Sequence, residues 1–198
     1  AARPEVIVAT FGDMMRVPGP DGRSLKTAKA QGAKVQICYS PFDALHLAQN
    51  NPQRQVVFLG VGFETTAPAV AATLQQALAL GVDNLSLLSC HKRVPPALYN
   101  LLQGGEVDVD AFLLPGHVST VIGVDPYRFL SREFGLPAVV AGFEPVDILL
   151  ALDVLVRQQA AGEAEVVNAY PRAVRDRGNS KPQAVLDEVF VDQSASWR

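Results

Sequence analysis

Several polar side chains in this sequence stand where their chemistry can be used. His117 lies between glycines in Leu114 to Gly123 (LPGHVSTVIG), which reads as a loop at a strand end, with Ser119 and Thr120 beside it. An imidazole at such a place is suited to proton transfer or metal ligation, and a hydrogen-bonded structural histidine is the plain alternative. Asp13 and Arg16 share the segment Thr10 to Gly19 (TFGDMMRVPG), where they either orient a ligand or hold one another in an ion pair; the ion pair is the simpler reading. Glu64 and Glu144 close two copies of one pattern, VFLGVGFE (Val57 to Glu64) and PAVVAGFE (Pro137 to Glu144), each an apolar run ending in Gly-Phe-Glu. Thr65 and Thr66 follow the first copy, and Pro145 follows the second. The repeat leaves two readings level: carboxylates on a functional rim, or carboxylates placed at helix N-termini, where negative charge is favoured. Ser89 to Pro96 (SCHKRVPP) reads as an exposed loop with a capping role for His91 and Lys92.

These residues need a frame, and the chain supplies one. Short β-rich runs at Glu5 to Thr10, Lys34 to Tyr39, Gln55 to Val61, Asn84 to Ser89, Ala111 to Leu114 and Pro137 to Ala141 are too short for helices, and several are continuously apolar. Helical patterns lie between and after them: Pro41 to Gln49, Thr66 to Leu80, Pro95 to Gln103, Pro126 to Phe134 and Pro145 to Gln159. Ser40-Pro41 reads as an N-cap followed by proline in the first turn, and Gly81 as a C-terminal stop. Alternation of this kind predicts βαβ units: an α/β fold of two Rossmann-like lobes related by an internal repeat, with mostly parallel sheets and helices on both faces. The lobes are expected over residues 1–80 and 81–162. After Gly162 the pattern degrades, and 163–198 reads as a linker or edge segment, with one last short element over Gln183 to Val189.

Composition removes other classes. The 198 residues carry a net charge of -3, and no basic cluster appears beyond His91-Lys92-Arg93, so no nucleic-acid partner is expected. Gly, Pro or charge interrupts every apolar run before membrane-spanning length, so no membrane partner is expected. The two cysteines, Cys38 and Cys90, form no disulfide framework or ligand spacing and read as buried thiols in a reducing cytoplasm. Phosphate-loop, dinucleotide, nucleophile-elbow, H-E-x-x-H and C-x-x-C patterns are all missing from these residues. The start, Ala1-Ala2-Arg3-Pro4 running straight into a strand, and the end, Ser196-Trp197-Arg198, suggest a piece of a longer protein.

Five stretches taken together go further. TFGDMMRVPG, YSP-x-DAL (Tyr39 to Leu45), GFETTAP (Gly62 to Pro68), LPGHVSTVIG and GFEP-x-DIL (Gly142 to Leu149) occur in the order seen in the HypD family, and the resemblance runs from the first strand to at least Tyr170-Pro171-Arg172. The resemblance implies a scaffold for assembling the Fe(CN)2CO centre of nickel-iron hydrogenases, with iron and a 4Fe-4S cluster in the full-length family. It also implies a HypC-type small chaperone and a HypE-type cyanide donor as partners, and signature loops of two lobes facing a shared cleft. Carried over by matching position, Asp13, Arg16 and His117 become candidate catalytic residues, and Glu64, Thr65, Thr66, Ser119 and Glu144 candidate ligand-binding residues. The family's Cys-Gly-Thr-His and Cys-Pro-x-Cys stretches would precede Ala1, and its C-terminal cysteines would follow Arg198. Metal ligands are therefore expected outside these residues, with His117 as a possible addition. Two other classes stay open: a small-molecule enzyme using Glu64 or Glu144 as acid or base, and a protein-binding module.

Overall fold

A computed structural model describes residues 3–19, 21–105 and 107–195; Ala1, Ala2 and Ser196-Trp197-Arg198, on which the sequence reading touched, lie outside the described residues. The fold is α/β, with two all-parallel sheets in two compact units. One unit comprises residues 1–62, 66–91 and 185–198, the other 63–65 and 92–184.

The first unit is built on the strands β1 (Val6–Phe11), β2 (Val35–Cys38), β3 (Gln55–Gly62) and β4 (Leu85–His91), in the order β2-β1-β3-β4. Alternation along the pleat aims Ile7 and Ala9 of β1 and Val56 and Phe58 of β3 at one core. There they meet Ala44 and Ala48 of helix α2 (Pro41–Gln49) and Val70 of α3 (Ala67–Ala79). The small alanines let the helix backbone approach the sheet. Helix α2 starts where the sequence says it should. The Ser40 hydroxyl accepts the Phe42 N–H, the Asp43 carboxylate accepts the Tyr39 and Ser40 N–H groups, and Pro41 opens the first turn. Gly81, with φ of 66°, follows α3 as the expected stop. A short helix, α1 (Leu25–Ala30), lies between β1 and β2; it buries no residue, so no apolar stripe announced it.

Helix α4 (Val94–Gln103) leads into the second sheet, β5 (Phe112–Pro115), β6 (Ala138–Ala141) and β7 (Val166–Asn168), in the order β5-β6-β7. Every residue of the central β6 is buried, which is why it reads as an unbroken apolar run. On one face Leu114, Ala138 and Val140 pack against Tyr127, Leu130, Tyr170 and Val174. On the other, Val139 and Ala141 pack against Ala151 and Leu155 of α7 (Pro145–Ala161).

Two expectations are corrected here, and two elements after Gly162 fill in the reading. Gly116–Ile122 is a helix, α5, so His117 is on a first helical turn and not on a loop. The stretch expected as one helix from Pro126 divides into a 3₁₀ turn, Asp125–Tyr127, and α6 (Phe129–Phe134). β7 adds a strand where no pattern was readable, its three residues each only half-buried. The short element expected over Gln183 to Val189 is the end of α8 (Ser180–Val189).

Within the first unit the buried Asn84 ties sheet to helix, its amide lying 3.0, 3.1 and 2.9 Å from the carbonyls of Ala48, Asn51 and Arg54. Removing it takes a donor from three carbonyls at the junction of α2, β3 and β4, of which those of Ala48 and Asn51 keep a backbone N–H. Asn84→Ala is expected to lower the unfolding free energy by about 2–3 kcal/mol, read from urea denaturation; a change below measurement error would refute the tie.

Candidate functional site

The carboxyl ends of parallel strands are where open α/β sheets bind ligands, and each sheet has such an end. In the second unit the last residue pair of β5 and β6 is Pro115 and Ala141. A glycine follows each. A β-carbon on Gly116 would overlap the Ala141 carbonyl oxygen, and one on Gly142 would overlap the Asp147 carboxylate and stand 2.7 Å from Glu144 Oε2. Only glycine allows the two turns to lie this close.

The rim built on them gathers His117, Phe143, Glu144, Asp147, Tyr170 and Arg172. The exposed His117 ring meets Phe143 edge to face, at 4.7 Å between centroids and 86° between planes, and lies 6.5 Å from the Tyr170 ring. The Arg172 guanidinium sits 4.4 Å above the Tyr170 centroid. From there it donates through Nη1 and Nη2 to the two Asp147 oxygens, at 2.7 and 2.5 Å, and through Nη2 to Glu144 at 3.4 Å. The Asp147 side chain is only 6% exposed, whereas those of Arg172 and Glu144 are more than half exposed. Arg172 hydrogen bonds hold the Asp147 carboxyl below its ordinary value, with Glu144 as a second contributor.

Ser119 and Glu64 turn inward. Ser119 is fully buried on α5, and its hydroxyl donates to the Pro115 carbonyl at 3.0 Å. Glu64 is 4% exposed and accepts the Val94 N–H at 2.9 Å, at the start of α4. The helix-terminus reading of its carboxylate therefore holds, with α4 as the helix served. Tyr127 is buried near both, and burial pushes its phenol upward. Thr65, by contrast, is exposed.

In the first unit, β1 passes into a 3₁₀ turn, Gly12–Arg16, anchored by the buried Met15. Asp13 and Arg16 are both exposed on it, and the expected ion pair between them does not form: Asp13 Oδ1 instead accepts the Met14 N–H at 3.0 Å. Thr66 stands half-buried before α3, close over Gly62, whose φ of 150° excludes an ordinary side chain. His91 is not on an exposed loop. It ends β4, half-buried, with Nδ1 3.0 Å from Ser89 Oγ and its ring 5.7 Å from that of Phe190; burial lowers its pKa. Cys38 is in the core, where burial pushes its thiol up to about 11, but Cys90, expected to be buried, is exposed on the edge strand.

The structure thus joins His117 and Glu144 on one rim, places Asp13, Arg16 and Thr66 in the other unit, and adds Asp147, Tyr170 and Arg172. The added residues lay within or at the end of the recognised stretches. Their partnership spans 25 positions and leaves no local pattern. Among the described residues no group of three or more His, Cys, Asp or Glu side chains comes together to hold a metal. No helix among them is long and apolar enough to cross a membrane.

Comparison with known proteins adds a family. The model described as HypD, hydrogenase formation hypA family, matches residues 1–198. The hydrogenase maturation factor HypD of Escherichia coli (strain K12) is 52% identical, over 100% of this chain and 53% of the relative. Its counterpart in Cupriavidus necator is 49% identical, over 98% and 53%, and that in Rhizobium leguminosarum bv. viciae 46%, over 100% and 53%. The chain spans about half the length of the curated relatives it matches.

The Asp147–Arg172 pair has a pH signature. Because the folded carboxyl lies below its ordinary 3.8, the pair stabilises the fold at neutral pH, and the contribution disappears as pH falls through the depressed value. Arg172→Met is expected to melt below the parent at pH 7, with the difference closing on acidification below about pH 4. A gap that stays constant across thermal melts from pH 7 to 3 would show that the pair is not the cause.

Proposed function

Because this chain belongs to the HypD family, we propose that the full-length protein is a hydrogenase maturation factor, a scaffold on which the Fe(CN)2CO unit of nickel-iron hydrogenases is assembled before delivery. The observation that carries this reading is positional. LPGHVSTVIG and GFEP-x-DIL, two of the five stretches shared with the family, emerge from the carboxyl ends of the paired strands β5 and β6.

Iron in this scheme is cargo. His117 offers an exposed imidazole to take up a proton or to add a ligand to the metal. Arg16, exposed and outside any ion pair with Asp13, offsets the negative charge of a dicyano-iron unit, while Asp13 fixes the turn that presents it. Thr65 and Thr66 have hydroxyls able to donate to cyanide nitrogen. Ser119 supports this region from inside, because its proton is already engaged by Pro115. Glu144 shapes the rim beside Arg172.

The 4Fe-4S cluster that the family implies does not fit the cysteines present. Cys38 and Cys90 stand on β2 and β4, separated by β1 and β3, and the Cys38 thiol is buried and held protonated. Its ligands are placed, in this proposal, elsewhere in the full-length protein. A HypC-type chaperone and a HypE-type cyanide donor are the proposed partners, and a reducing cytoplasm the proposed compartment.

The test uses the full-length protein in cells lacking their own copy. Arg16→Ala and His117→Ala are each expected to reduce hydrogenase activity by about 10- to 100-fold. The cyanide and carbon monoxide infrared bands of the anaerobically purified protein should weaken in parallel, with its thermal stability unchanged. Full maturation by both variants would overturn the assignment of these loops to the iron unit.

A further inference from the structure

Helix α7 has two apolar faces, and among the described residues only one of them is packed. Asp147, Ala151, Leu155 and Gln158 are buried toward the sheet, where Ala151 and Leu155 meet Val139 and Ala141. The opposite side of a helix at a water boundary is normally polar. Here it carries Val146, Leu149 and Val156, each 66% exposed, with Leu150 at 55% and Leu152 at 45%. Val146, Leu149, Leu152 and Val156 follow one another at intervals of three, three and four, the spacing with which one helix packs along another.

The face continues onto the sheet. Leu113, 43% exposed, pairs in register with Val139 and so points to the α7 side of β5, which is an edge strand. Gln159 donates to the Asp110 carbonyl at 2.6 Å, which brings the end of α7 beside the chain entering β5. Two charged side chains lie on this side of the helix, Asp153 and Arg157, and they satisfy each other at 2.9 Å across one turn. Nothing on the face is left over to recognise a charged partner.

A continuous apolar seam without unpaired charge has the composition of a protein interior or a permanent interface, not of a transient docking site. The chain also spans only 53% of the length of its relatives, which leaves a comparable length of polypeptide to cover it. We propose that in the full-length protein an amphipathic helix from outside these 198 residues packs along α7 over Leu149, Leu152 and Val156 and reaches Leu113. This inference is independent of what is assembled at the rim.

Full-length protein carrying Leu149→Cys or Val156→Cys, handled anaerobically, tests it by the rate of maleimide modification at each position, followed by peptide mass spectrometry. Leu78→Cys on α3, at a site 84% exposed, is the open reference. Both α7 positions are expected to react at least about 10-fold more slowly than position 78, at every protein concentration and in the monomer. Reaction as fast as at position 78 would overturn the proposal by showing the face open. Protection that is lost on dilution, together with a dimer in sedimentation, would overturn it in favour of a second copy. Hydroxyl-radical footprinting of the unsubstituted protein gives the same comparison, Leu149 and Val156 against Leu78, should a cysteine variant fail to fold.

Discussion

Space at the ends of β5 and β6 governs the rest of the second unit. The strands run parallel, so their carboxyl ends finish side by side, and each must turn at once into a helix. Gly116 passes so close to the Ala141 carbonyl that a methyl group would overlap it, and Gly142 is equally crowded by the Asp147 carboxylate. A larger residue at either point forces α5 away from β6 or displaces the carboxylate from beneath the turn. With both glycines in place, His117 and Phe143 come into edge-to-face contact and the first turn of α7 lies under the rim.

That first turn also explains how a nearly buried carboxylate is tolerated. Asp147 sits where the backbone N–H groups of α7 point outward, and Arg172 meets both of its oxygens. Taking a carboxylate out of water is costly unless it is paired and hydrogen-bonded. Arg172 is itself more than half exposed, so solvent weakens the attraction, and the contribution of the pair is more to direction than to energy. The planar guanidinium donates to both Asp147 oxygens while its carbon lies over the Tyr170 ring. This fixes the segment after β7 against the start of α7, which no apolar contact does as specifically.

Much of the frame was legible because each element carried its own punctuation. The sequence places helix α2 over Pro41–Gln49, as found, from a serine cap followed by proline, and the Asp43 carboxylate completes that cap in the structure. The six longer strands were visible as short β-rich runs, several of them continuously apolar, and the HypD resemblance agrees with the family match. What was missed lacked such marks. Helix α1 buries nothing, β7 has three residues, and α5 is flanked by glycines that read as a loop. The last omission had a consequence for the site. On a loop, His117 and Ser119 look equivalent; on a helix starting at Gly116, Ser119 falls on the buried side with Gly116 while His117 faces out. The partners of Glu64 and Arg172 were not legible, because each is fixed by contacts 25 or more residues away in the chain.

The repeated Gly-Phe-Glu turn shows why a shared pattern does not carry a shared role. Glu64 is buried and caps α4, whereas Glu144 is exposed and faces Arg172. The glycines differ as well. Gly62 is required by torsion, since its φ of 150° lies where side chains are strained, and Gly142 is required by space, its φ being unexceptional but its surroundings full. The tripeptide specifies that the strand ends and the chain turns sharply. Which group the glutamate then meets depends on the next element within reach. At Glu64 that element is a helix offering an N–H, and at Glu144 it is an arginine held over an aromatic ring. One motif therefore leaves one carboxylate at a helix N-terminus and the other exposed beside an arginine, each set by the neighbours of its own copy.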